Sequence, residues 1–92
     1  MPAPLLLPLL LACAHTPEGD CQRLLDALCD NAHRACDLTA DECMAEIEEG
    51  YACAEVRKVS EDLEACLDAV DDSHQCLMDG QLPGACAGVL IY

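Results

Sequence analysis

The nine cysteines of this 92-residue chain constrain its fold more than any other feature. None of their spacings is C-x-x-C, so zinc ribbons, iron-sulfur clusters, thioredoxin-type redox pairs and haem attachment lack their usual ligand geometry. Structural disulfides are the remaining use for so many cysteines, and they imply export to an oxidising compartment. Because nine is odd, one cysteine must have another role or stay a thiol.

The size of the chain also favours a disulfide framework. The sequence has no Trp, no Phe and two Tyr, so its apolar core must be modest. Ordering the chain costs roughly 1.5 kcal/mol per residue, which a core of this size barely offsets. Disulfides contributing about 2–4 kcal/mol each would therefore decide whether the domain folds.

The N-terminus carries an apolar block, Leu5–Ala12, that is too short to cross a bilayer as a helix. The block ends in Leu10-Leu11-Ala12-Cys13, which resembles the lipobox of bacterial lipoproteins. The resemblance implies a signal peptide over residues 1–12, a lipid-modified sulfur on Cys13, and cleavage of the peptide bond before it. The alternative is that Cys13 is one more structural cysteine.

The same resemblance implies a location and a domain order. Ala14 follows the lipidated cysteine where an Asp would favour retention, so the outer membrane of a bacterial envelope is expected. Several acyl chains on Cys13 would anchor the protein firmly, whereas a single chain binds only marginally. Residues 13–19, polar and broken by Pro17 and Gly19, are predicted to be a short tether, and residues 20–92 an exported acidic helical domain.

If Cys13 carries lipid, an even number of cysteines is left for the domain. Four disulfides would use all eight of them: Cys21, Cys29, Cys36, Cys43, Cys53, Cys66, Cys76 and Cys86.

Hydrophobic periodicity predicts an all-α fold, a small disulfide-rich three-helix bundle with helices at about 20–36, 40–54 and 60–79. Asp20 is the expected N-cap of the first helix, and Ser60 that of the third.

The second helix has the clearest start, and the third the clearest end. Thr39-Ala40-Asp41-Glu42 is a capping-box pattern, while Gly80 is expected to end the third helix. After Gly80 the chain is nearly uncharged and apolar. This tail is expected to pack over the helices with Cys86 as its link, or else to form an exposed binding or assembly strand through Val89–Tyr92.

Helix geometry limits how the cysteines pair. A disulfide needs two Cα atoms within about 7 Å, so cysteines seven to ten residues apart on one helix cannot bond. With the three helices folded up-down-up, the preferred pairing is Cys21–Cys53, Cys29–Cys66, Cys36–Cys76 and Cys43–Cys86.

A second resemblance competes with that pairing. Cys43-x9-Cys53 and Cys66-x9-Cys76 together look like the twin C-x9-C motif of mitochondrial intermembrane-space helical hairpins. The resemblance implies Cys53–Cys66 and Cys43–Cys76 disulfides. These would leave only Cys86 for the three cysteines of the first helix, so the twin motif is not favoured.

The charge of the chain excludes one class of partner. Eighteen acidic residues face four basic ones, a net charge of −14, and such a surface repels nucleic acid and anionic lipid head groups. The acids are expected to form solvated helix faces; the alternative is diffuse capture of divalent cations or of a basic partner. No EF-hand loop is present, so any calcium binding would be weak.

Few residues remain for chemistry. His33 can face Asp30, and His74 can face Asp71, one helical turn earlier in each case; His15 lies in the tether. Neither pair has a visible second metal ligand or nucleophile. We therefore predict no catalytic residue and no cofactor.

The sequence thus predicts a non-enzymatic envelope lipoprotein, anchored through Cys13, that serves as an interaction or structural module for an unidentified protein. The alternative is a periplasmic cation- or metal-binding module that uses carboxylates with His33 or His74.

Overall fold

The computed structural model describes residues 16–78 and 82–92, so Cys13 and the predicted signal peptide lie outside the described residues. Three α-helices occur in these ranges: α1 (Pro17–Asn31), α2 (Ala40–Tyr51) and α3 (Leu63–Asp72). Between and after them lie shorter elements: a π-helical turn (Ala32–Cys36), 3-10 turns (Cys53–Glu55 and Gly84–Cys86), and strands β1 (Lys58–Val59) and β2 (Leu90–Ile91).

Helix α1 begins three residues before the predicted start. Thr16, not Asp20, is the N-cap, and its Oγ1 accepts a hydrogen bond from the Gly19 amide at 3.0 Å. Pro17 occupies the first turn, where its missing amide hydrogen costs nothing because the helix has no acceptor for it there. The helix therefore takes in residues that the sequence assigns to the tether.

The reversal between α1 and α2 is tight. After the π-helical turn, Asp37 adopts a left-handed conformation with φ of 60°, and the Leu38 amide donates to the Ala32 carbonyl at 3.3 Å. The predicted capping box at the start of α2 is present. Glu42 N donates to Thr39 Oγ1 at 3.2 Å, and Thr39 N donates to Glu42 Oε1 at 3.1 Å.

Helices α2 and α3 end earlier than predicted. Helix α2 stops at Tyr51 because Ala52 turns left-handed, with φ of 47°. Helix α3 stops at Asp72 rather than at residue 79, and its last turn holds two aspartates, which are unfavourable at the negative end of a helix dipole.

The start of α3 also differs from the prediction. Ser60 does not cap the helix; its Oγ accepts from the Asp62 amide at 3.1 Å within a turn, and α3 begins at Leu63.

Helix α1 is the centre of the molecule. The three helices form the predicted disulfide-linked bundle, in which both α2 and α3 pack against α1, whereas α2 and α3 scarcely touch each other. The core lies along α1, and its most deeply buried side chains come from every helix and from the tail: Cys21, Leu24, Leu25, Cys43, Cys66, Val70 and Val89.

The apolar tail packs back on the helices, as expected. Val89 is buried, and β2 pairs antiparallel with β1 in the register Lys58 to Ile91 and Val59 to Leu90. This small sheet is a feature that the all-α prediction lacks, and it uses the strand-forming end of the tail within the chain itself.

All eight predicted cysteines form disulfides. Cys21–Cys53 and Cys36–Cys76 are paired as predicted, but Cys29 bonds to Cys43 and Cys66 bonds to Cys86. The predicted pairing assumed that the three helices fold up-down-up, so that α1 lies equally close to α2 and α3 along its length. Instead the short 37–39 loop makes α1 and α2 a hairpin closed by two nested disulfides, while α3 faces the tail.

Candidate interaction surface

Helix α2 presents the most exposed helical surface of the domain. Only Cys43 and Ile47 are buried, and five carboxylates are exposed along the rest of the helix: Asp41, Glu42, Glu46, Glu48 and Glu49. The helix contains no Lys or Arg. In residues 16–78 and 82–92, none of these five carboxylates forms an ion pair.

One of these carboxylates has a structural role. Hydrogen bonds from Thr39, chiefly from its backbone amide, hold the pKa of Glu42 below its usual value. The cap accounts for Glu42 but leaves the remaining acids of α2 without a partner in the described chain.

The basic residues lie on other parts of the molecule. Arg23 on α1 reaches Glu64 at 2.9 Å and Asp20 at 3.4 Å, and the hydrogen bond to Glu64 raises the pKa of Arg23. Arg34 reaches Asp30 at 3.1 Å. Such exposed pairs contribute little stability, but they place compensating charge on the α1–α3 side and leave α2 strongly negative.

An apolar groove opens beside α2, between α1, α2 and the side chains of Leu77, Met78 and Leu82. Its cavity volume is about 270 Å³, and its walls are formed by Leu28, Glu46, Ile47, Gly50, Tyr51, Leu77, Met78 and Leu82. Among the described residues that form its walls, Glu46 is the only charged one. The groove leaves the apolar core partly uncovered at a rim that carries negative charge.

The end of the tail is held near this groove. The Tyr92 hydroxyl donates to the carbonyl oxygen of Tyr51. Burial raises the pKa of the Tyr51 phenol, with a smaller contribution from Tyr92. The C-terminal strand and the groove wall are therefore linked through one side chain.

A second cleft lies between α1 and α2. It has a volume of about 280 Å³ and is lined by Asp26, Cys29, Asp30, His33, Ala40 and Met44. His33 Nδ1 lies 3.0 Å from the Leu38 carbonyl oxygen, so Nδ1 carries the hydrogen because a carbonyl can only accept. Asp30 pairs with Arg34 instead of His33, which differs from the predicted contact.

The other candidate ligands do not converge either. His74 is exposed, and no hydrogen bond within the described ranges joins it to Asp71; His15 lies outside those ranges. Within the described part of the chain, no group of three or more His, Cys, Asp or Glu side chains is placed to hold a metal ion.

The side chains that could act as nucleophiles have structural partners. Ser60 Oγ accepts from the Asp62 amide, and Ser73 Oγ accepts from the Gln75 amide at 3.2 Å. The eight cysteines of the domain are oxidised.

The groove could not be predicted from the sequence, because its walls come from three segments that are distant along the chain. The acidic face of α2 could be predicted, since its carboxylates lie opposite the apolar stripe. No family model matches the chain, and no curated protein or solved structure shows significant similarity to it. Among the described residues, no helix has the length and apolar character needed to span a bilayer.

Proposed function

We propose that the protein is a non-enzymatic lipoprotein of the bacterial envelope that holds a small disulfide-linked domain at a membrane surface for contact with another protein. The anchor is Cys13, by resemblance to a lipobox. The domain supplies the acidic helix α2 and the groove beside it as the contact surface.

The disulfides are the observation that supports this proposal most directly. The four disulfides use all eight cysteines that follow Cys13. Cys13 is then the odd sulfur of the nine, which agrees with a role outside the framework. Disulfides in such number also favour an exported protein.

Intact-mass measurement on the protein purified from its own membrane tests the proposal. We expect a species that begins at lipid-modified Cys13 and is eight hydrogens lighter than the fully reduced chain. The matched control is the Cys13→Ser variant. It should also be eight hydrogens lighter than its fully reduced chain, but it should carry no lipid. A native protein that retains Met1, or has a free thiol at Cys13, would contradict the anchor.

A further inference from the structure

The acidic face of α2 and the apolar groove are adjacent, and together they indicate the chemistry of a ligand for this surface. Glu42, Glu46 and Glu49 follow one another at helical spacing, so they lie along one side of α2, and Glu46 forms part of the groove wall. A segment lying along this side of the helix would meet carboxylates and an apolar opening at the same time.

The floor of the groove is part of the core. Leu28, Ile47 and Leu77 are 2%, 5% and 9% exposed, while Tyr51 and Met78 are half-buried around them. A volume of about 270 Å³ is slightly below that of typical small-molecule pockets, so it suits one or two apolar side chains.

Charge decides among the possible occupants. Nucleic acid and anionic lipid are repelled by a chain of net charge −14, and a second copy of the chain would bring the same charge to the contact. A positively charged segment gains from the carboxylates that have no ion-pair partner in the described residues.

We infer that the groove beside α2 docks a cationic amphipathic segment of a partner protein. One or two apolar side chains of that segment enter the groove, and its Lys or Arg side chains lie along Glu42, Glu46 and Glu49. This inference rests on the proposed function and names the chemistry of the partner. Helix-in-groove recognition uses apolar anchors one turn apart in this way.

The chain offers a substitution that blocks the groove without harming α2. Gly50 lines the groove, and a Cβ atom built on it meets no atom within 4 Å. Gly50→Leu should occupy the groove, whereas Gly50→Ala should leave it open. Both Leu and Ala have a higher helix propensity than Gly, so neither replacement should unfold the domain.

The probe is a short labelled peptide of lysine and alanine with two leucines one helical turn apart. It is titrated into oxidised, membrane-purified protein in phosphatidylcholine nanodiscs, with empty nanodiscs as the blank. We expect saturable binding that weakens between about 50 and 500 mM NaCl. The same peptide with serine in place of leucine should bind at least about tenfold more weakly.

Two matched pairs of variants locate the site. Gly50→Leu should weaken binding about tenfold and Gly50→Ala should not. Glu46→Lys should weaken binding more than Glu61→Lys, which makes the same change in net charge on an exposed residue that precedes α3. Equal weakening by Glu46→Lys and Glu61→Lys, or unaltered binding to Gly50→Leu, would overturn the inference, as would concentration-dependent dimerisation that Gly50→Leu abolishes.

The anchor and the groove can fail separately. Protein that remains outside the nanodiscs contradicts the lipid anchor, and its peptide binding is then measured in solution. Protein that enters the nanodiscs but binds the serine and leucine peptides equally contradicts the groove alone.

Discussion

Asn31 is the buried polar side chain of the described core, with 0% exposure. Its Nδ2 donates to the Gln75 carbonyl at 2.9 Å, and its Oδ1 accepts from the Leu77 amide at 3.0 Å. Residues 73–78, which follow α3, form no helix or strand that would satisfy these backbone groups. One amide side chain therefore takes the place of a neighbouring strand.

Replacing Asn31 should be costly for that reason. Asn31→Ala leaves the buried Leu77 amide without its acceptor and removes one of the two side-chain donors to the Gln75 carbonyl, and an unsatisfied buried group costs about 1–3 kcal/mol. We expect the free energy of unfolding, measured by urea denaturation with disulfides intact, to fall by about 2 kcal/mol or more. Gln75→Ala, which keeps the backbone carbonyl, is the control. A loss no larger than that of the control would show that water replaces the amide.

The capping box gives a pH dependence. Folding lowers the pKa of Glu42, so its stabilising effect is present above the ordinary value of 4.5 and is lost as pH falls through the lower folded value. The wild type should therefore exceed Glu42→Gln in stability at neutral pH, with the difference shrinking below pH 4.5. Thermal unfolding of both proteins across this range measures it. Glu49→Gln should cause no such loss, and an equal loss would assign the effect to general charge.

The sequence predicted contacts between residues close together in the chain better than contacts between distant ones. Thr39 and Glu42 contact each other over three positions, so their pattern was sufficient. Asn31 contacts residues more than forty positions away and, within a helix, has no local signature.

At the scale of elements, α3 shows why the periodicity misled. Leu77 continues the apolar spacing of α3, and so the sequence predicts a helix through it. The chain leaves the helix at Ser73, whose hydroxyl closes a turn onto Gln75, and Leu77 reaches the core from an irregular segment. Leu77 keeps the apolar spacing of α3 because its side chain is buried in the core. The hydrogen bonds of Asn31 and the Cys36–Cys76 disulfide, not a helix, hold the backbone that follows Ser73.

That disulfide differs from the others in its surroundings. Cys36 and Cys76 are both half-exposed, whereas each remaining disulfide joins buried cysteines. Access of the attacking thiolate governs reduction, so Cys36–Cys76 should be reduced first.

Limiting dithiothreitol followed by alkylation and peptide mapping tests this order. We expect Cys36 and Cys76 to be labelled while the six cysteines of the other three disulfides remain bonded. Protein labelled after unfolding in urea is the control and should show no such preference. Early labelling of Cys21 or Cys66 would mean that the domain opens as a unit before any disulfide is reduced.

At the scale of the whole molecule, disulfides connect the central helix α1 to the segments that pack around it. Helix α1 bonds through its three cysteines, counting the π-helical turn, to α2, to the turn after α2, and to the segment after α3. The number of helices and of disulfides followed from the sequence. The central position of α1 did not, because it depends on which helix pairs remain apart.

The net charge of −14 should make stability depend on salt. Screening relieves repulsion that is greater in the compact state, so NaCl should raise the unfolding temperature at neutral pH. A gain of about 1 kcal/mol corresponds to about 4–8 °C for a domain of this size. Differential scanning calorimetry measures the shift, with choline chloride as the control. A much larger shift with CaCl2 at equal ionic strength would favour the cation-binding alternative over simple screening.

The early start of α1 would place acidic residues close to a membrane if Cys13 is the anchor. On the proposed anchor, four residue steps separate Cys13 from Pro17, which span at most about 14 Å. Glu18 and Asp20 in the first turn then lie within one or two Debye lengths of the lipid head groups. If Cys13 is the anchor, anionic head groups would repel these two carboxylates and keep the first turn of α1 away from the membrane surface, whereas neutral head groups would not.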